Sequence, residues 1–111
     1  MKPNRTERLL RRKEFAVNQS RLRAHQIETM IAEFERMCID LGRQIEAEEK
    51  RVRIDDPTHF AYPTYAKAAR ERRAKLQRSA DALRFKLDAL TLETNEIPDL
   101  QFASAAAAAA A

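Results

Sequence analysis

This chain is poor in the residues that punctuate most folds: among 111 residues there is one glycine (Gly42), one cysteine (Cys38), four prolines and no tryptophan. With a single glycine there is little material for tight turns and none for a glycine-rich phosphate loop, which argues against sheets and nucleotide cradles. A lone cysteine cannot close an internal disulfide, and its place on an apolar stripe reads as a small buried hydrophobe. The two histidines, His25 and His59, do not complete a zinc site of the usual spacing. His59 lies close to Asp55 and Asp56 and reads as their pairing partner, so no metal and no cofactor is expected. Long apolar runs are lacking too. Outside the terminal alanines no twelve uncharged apolar residues occur together, and Met1 to Ser20 carries arginines where a signal peptide needs a hydrophobic centre. The expectation is a cytoplasmic protein with no direct membrane insertion. There is no nucleophile elbow, His-Glu-x-x-His or Cys-x-x-Cys, so no catalytic residue is assigned and the chain is read as non-enzymatic, without a small-molecule substrate.

What is abundant is charge, at 34% of the chain, and a helical rhythm. Eight of the last nine residues are alanine, which brings little burial energy, so too little apolar material remains for a globular core of ordinary shape. The rest of the apolar residues recur every three and four positions. They are Ile27, Ile31, Phe34, Cys38, Leu41 and Ile45, extending back through Ala24 and Val17 to Leu10, and then Leu76, Ala80, Leu83, Leu87 and Leu90. This is the seam of a coiled coil in each of two long helices. Asp55-Asp56-Pro57-Thr58 supplies stop and turn chemistry, Pro63 suits a helix start, and Ile97-Pro98 a stop. The expected fold is all-α: a long antiparallel two-helix coiled-coil hairpin over residues 1–97, with helix one over about 5–54, a tip at 55–63, helix two over about 63–97 and an alanine-rich tail at 98–111.

Folding about that tip predicts Ile45 near Leu76, Leu41 near Ala80, Cys38 near Leu83, Phe34 near Leu87 and Ile31 near Leu90. Met30 and Met37 flank the seam and either widen the core or offer an adaptable surface to another helix. Glu48 falls on the seam, with Arg72 or Arg73 expected near its level as an ion pair that helps set register. Gly42 is either a soft point or a place of close approach, at a cost of about 1 kcal/mol relative to alanine.

Charge is unevenly spread. Residues 1–25 hold eight cations against Glu7 and Glu14, among them Arg5, Arg8, Arg11, Arg12 and Lys13. A second basic run, Lys67, Arg70, Arg72, Arg73, Lys75 and Arg78, is opposed only by Glu71. Such runs suit acidic partners or nucleic acid, or are simply solvated faces. A basic segment followed by heptads is also the outline of a basic zipper, but Asn18-Gln19-Ser20-Arg21 does not reproduce the base-reading pattern and the seam lacks leucine at every second position. Three of the seven aromatics, Phe60, Tyr62 and Tyr65, cluster in an uncharged window at the tip, where they either cap the open end or anchor a partner.

Two segments carry a family resemblance: Gln26 to Met37, QIETMIAEFERM, and the non-repetitive Asp56 to Ala69, DPTHFAYPTYAKAA. Together they resemble the flagellar export protein FliJ of the alphaproteobacterial type, over residues 1 to about 90. The resemblance implies an antiparallel coiled coil like the stalk of a rotary ATPase. It would enter the hexameric flagellar export ATPase and link it to the membrane component of the export gate and to export chaperones, peripherally at the base of the flagellar export apparatus. Under that reading Arg5, Arg8, Arg11, Arg12 and Lys13 would meet the ATPase ring, and Phe60, Tyr62, Tyr65 and Arg70 the gate. The alternatives are a generic helical adaptor or scaffold and a basic coiled-coil nucleic-acid binder.

Overall fold

A computed structural model of the chain describes residues 2–95. It contains two helices, α1 (Arg5–Val52) and α2 (Thr64–Asn95), with no strand among the described residues, so the all-α two-helix fold is the one that forms. The expected stop at Ile97-Pro98 and the tail at 98–111 lie outside the described residues.

Each helix end has a local cause. Asn4 caps α1: its carbonyl accepts from Arg8 N (3.1 Å) and its side-chain Oδ1 from Glu7 N (2.7 Å), satisfying backbone donors that the first turn leaves open. At the other end α1 stops at Val52, two residues before the expected 54, because Arg53 takes a left-handed conformation with φ of 60°. That conformation ends many helices, usually with glycine in place; a side chain there costs about 1 kcal/mol. In α2, Pro63 stands just before the first helical residue and its carbonyl accepts from Lys67 N at 3.0 Å, so proline caps the helix without interrupting it.

The burial pattern extends the expected seam without a break. Along α1 the seam's covered positions are 10, 13, 17, 20, 24, 27, 31, 34, 38, 41, 45, 48 and 52, and along α2 66, 69, 73, 76, 80, 83, 87, 90 and 94; Gly42, Glu49, Arg70 and Ala74 are half-buried beside it. Steps of three and four alternate throughout, which is the heptad of a coiled coil. The chain divides into two compact units. One comprises Glu28–Phe85, which holds the end of α1, the connection and the start of α2. Its best-buried seam residues are Ile45 (3% exposed) on α1 and Ala66, Ala69 and Ala80 on α2. The other unit comprises the chain up to Ile27 with that from Lys86 onward; Val17 is its best-covered described residue, and its α1 seam includes the polar Lys13 and Ser20.

Within Glu28–Phe85 the register differs from the expected pairing. Cys38 Sγ lies 3.8 Å from the carbonyl oxygen of Arg73, and Arg73 Nη1 lies 3.4 Å from where a side chain on Gly42 would begin. Residues 38–42 therefore sit at the level of Arg73. Leu83, the expected neighbour of Cys38, is ten residues further on, about 15 Å of helix. The Cys38 contact lies ten residues and the Gly42 contact six residues from the pairing read off the rhythm, a slide on the order of one heptad. A heptad seam superimposes on itself under a seven-residue slide, so rhythm alone cannot choose between the two. Gly42 is accordingly a place of approach, with the Arg73 side chain lying over it at ordinary contact distance.

Candidate functional site

The connection between the helices is held by its own short-range chemistry. Asp56 Oδ1 accepts from both Thr58 N (2.9 Å) and Thr58 Oγ1 (2.7 Å), and the Asp56 carbonyl accepts from His59 N at 3.0 Å. The Thr58 hydroxyl, then its backbone N–H, and to a lesser extent nearby His59 hold the Asp56 carboxyl below its ordinary range. His59 Nδ1 accepts from Ala61 N at 3.0 Å, and its carbonyl accepts from Tyr62 N at 3.1 Å. The imidazole is thus engaged inside the loop through Ala61, and the expected pairing with Asp55 or Asp56 is replaced by a backbone bond to Asp56.

Tyr62 anchors this loop to both helices. Only 8% exposed, it donates its hydroxyl to Glu49 Oε1 (2.8 Å) and accepts from Arg70 Nε (2.8 Å); Arg70 Nη2 in turn reaches Glu49 Oε1 at 2.9 Å. The guanidinium carbon also stands 5.8 Å from the centre of the Tyr62 ring. The triangle joins α1, the loop and α2. The Arg70 bond, followed by that from Tyr62, lowers the Glu49 pKa, and Glu49 and Tyr62 together raise that of Arg70. The Glu49 side chain is 15% exposed and that of Arg70 36%, so the pair is shielded on the carboxylate side and open to water on the guanidinium side. The ion pair expected between Glu48 and Arg72 or Arg73 does not form: Glu48 pairs with Arg51 along its own helix, 2.8 Å away, and the cross-helix pair is instead made one residue further on, by Glu49 with Arg70.

The three junction aromatics part company here. Tyr62 caps the end of the coil, Tyr65 is 56% exposed with its hydroxyl donating to Gln44 Oε1 at 2.6 Å, and Phe60 is 97% exposed. Phe60 stacks on His59 with ring centres 4.7 Å apart and planes at 22°. A rigid loop thus presents one fully exposed aromatic ring. Of the four residues expected to form a partner contact at this end, Tyr62 and Arg70 build the loop's support, and Phe60 with part of Tyr65 is available to a partner. Glu49 and Gln44 escaped the reading of the sequence. Each is one polar residue beside a seam, and only the register shows which cation or hydroxyl comes opposite.

A second cross-helix tie joins Arg84 to Glu35, while Arg84 Nη1 also meets Asp81 at 2.7 Å. It borders an open groove lined by Cys38, Ile39, Gln77 and Ala80 on the same edge of the coil as Glu49–Arg70.

At the start of α1 the expected basic residues are arranged differently. Arg5, Arg8 and Arg12 line one exposed face together with Leu9, and Arg11 lies beside Asn4 and Glu7. These four arginines are exposed, and none makes an ion pair with another described residue. Lys13, expected with them, is half-buried on the seam and is turned away from that face. Two exposed apolar residues, Phe15 (65%) and Leu22 (51%), follow on the outer side of the same helix.

Among the described residues no helix is long and apolar enough to cross a membrane, and no three metal-ligating side chains gather. Comparison with known protein families, with curated proteins and with solved structures gives no match for this chain.

Proposed function

We propose that this chain is a non-catalytic coupling component of the flagellar type III protein export machinery, acting in the cytoplasm at the base of the export apparatus. One observation carries the reading. The non-repetitive segment that resembles the FliJ family, Asp56 to Ala69, is also the segment that forms the braced junction with Phe60 projecting from it. A rigid loop holding an exposed aromatic loses little entropy on binding, which suits it to anchoring a partner. In this reading Phe60 and the exposed edge of Tyr65 meet the export gate component, positioned by Tyr62 and Arg70. Arg5, Arg8, Arg11 and Arg12, which have no ion-pair partner among the described residues, together with Lys13 behind them on the seam, meet the export ATPase hexamer, and export chaperones are further partners. Hydrolysis belongs to the ATPase; this chain acts by binding one state of the ring better than another and so shifts its population.

The test is capture of partners by the full chain from motile cells, with and without nuclease and at low and high salt. Recovery of export ATPase or gate subunits after nuclease treatment, with the gate subunit lost for Phe60→Ala and the ATPase lost for Arg8→Glu/Arg11→Glu/Arg12→Glu, supports the proposal. Capture of no export component overturns it. Bound material that disappears with nuclease assigns the exposed arginines to nucleic acid, whose binding falls steeply with salt.

A further inference from the structure

The two edges of the coil within Glu28–Phe85 are chemically unlike. One edge carries Glu35 and Glu49 on α1, which tie across to Arg84 and Arg70 on α2. The other carries Met30 and Met37, each 43% exposed, beside the seam residues Phe34 and Leu41. Its junction end is closed by the Tyr65–Gln44 bond, and no ion pair among the described residues crosses the seam beyond it. The seam beneath is incompletely covered: Phe34, Leu41, Leu76 and Leu83 are only half-buried, and no large described side chain is fully buried. Two helices leave such a seam partly wet, and a four-helix bundle encloses it.

Charge indicates what covers it. The outer rim of the methionine edge is acidic on α1, with Glu33 and Asp40, and basic on α2, with Arg72 and Lys75, all exposed. Asp40 has only a 4.0 Å contact to exposed Arg43 on its own helix. The contacts of Cys38 and Gly42 with Arg73 put Asp40 at the level of Arg72 and Lys75. A two-fold axis running along the coil lays α1 of one copy over α2 of the other at that same level, so each acidic rim faces a basic one twice over, as a self-complementary interface requires.

We infer that this chain self-associates through the Met30–Met37 edge, forming a four-helix bundle with a second copy in which Asp40 of each chain faces Arg72 and Lys75 of its partner. Methionine suits such a surface because its flexible thioether packs against irregular neighbours and tolerates exposure in the free chain. The inference does not depend on the export reading, and its test needs no other component.

The molar mass of the purified full chain is measured by sedimentation equilibrium from micromolar to near-millimolar concentration. A dimer is expected. Met30→Glu/Met37→Glu weakens it by more than about tenfold in Kd with helix content unchanged, whereas Ile39→Glu, at an exposed apolar residue on the ion-paired edge, leaves it intact. Asp40→Lys weakens the dimer, and adding Arg72→Glu/Lys75→Glu restores it. A monomer at every concentration overturns the inference. So does a dimer insensitive to the methionine change, or one broken by Ile39→Glu.

Discussion

The junction and the first turns of α1 hold comparable cationic charge and use it in opposite ways. At the junction Arg70 is engaged with Glu49 and Tyr62, and the charge fixes where two helices and a loop meet. Near the start of α1, Arg5, Arg8, Arg11 and Arg12 face water without an acidic partner among the described residues, on a helix whose seam there includes Lys13 and Ser20. Paired charge makes geometry and unpaired charge leaves a surface open to a partner. The junction contains both kinds of group side by side, since Tyr62 serves the first purpose and Phe60, two residues away, the second.

The strongest way to break this comparison is at those two aromatics. Tyr62→Ala removes a buried ring and leaves Glu49 and Arg70 without their bridging hydroxyl, with an expected loss of about 4 kcal/mol in chemical denaturation followed by circular dichroism. Phe60→Ala is expected to change stability by less than about 0.5 kcal/mol. Equal losses from the two would show that the junction aromatics form one cluster, against the division drawn here.

Seam packing provides the next contrast. Ile45→Ala, at a position 3% exposed, costs about 3 kcal/mol. In the other unit Ser20→Leu places an apolar group on a polar seam position and raises stability by about 1 kcal/mol, read from the same denaturation curves. A loss on Ser20→Leu would mean that this seam is already filled.

Neither α1 nor its stop at Arg53 is optimised for stability. The one glycine lies in mid-helix at Gly42, where an added methyl meets only the mobile end of Arg73 at 3.4 Å, while arginine occupies the left-handed position 53 where glycine is at home. Gly42→Ala and Arg53→Gly should therefore each stabilise by about 1 kcal/mol in thermal unfolding, and should add because they act on different backbone features.

The smallest effect is acidic. Arg70 and Tyr62 depress the Glu49 pKa on folding, so the folded chain favours its ionised form. That contribution is fully present above the ordinary carboxyl value of 4.5 and is lost as pH falls through the lower folded value. Wild type and Glu49→Gln should differ in melting temperature at neutral pH and converge in acid. Replacing one of the exposed arginines of α1 by glutamine should leave the pH dependence of the melting temperature unchanged.

Much of this was legible in the residues. The three-four rhythm identified both helices, most seam positions of α1 and those of α2 from Leu76 to Leu90, while the buried Ala66 and Ala69 at the start of α2 went unread; Asp55 to Pro63 marked the break between the helices. The Asn4 cap of α1 went unread, although asparagine followed three residues later by Glu7 is a capping pattern. The early stop at Val52 was not legible, because arginine gives no local signal for a left-handed residue. Nor was the division of labour among Phe60, Tyr62 and Tyr65, three aromatics of similar standing in one short window, since burial depends on which way a loop turns.

By itself the amino-acid order determined the kind of element, its length to within a few residues and the face each helix buries, because those follow from local periodicity and punctuation. Only the tertiary structure decided the register and, through it, which charges are paired. A seam repeating every seven residues maps onto itself when one helix slides by seven, so its burial energy barely distinguishes the alternatives. The choice falls to non-repeating contacts: Tyr62 between Glu49 and Arg70, Tyr65 on Gln44, and Arg73 over the bare backbone of Gly42.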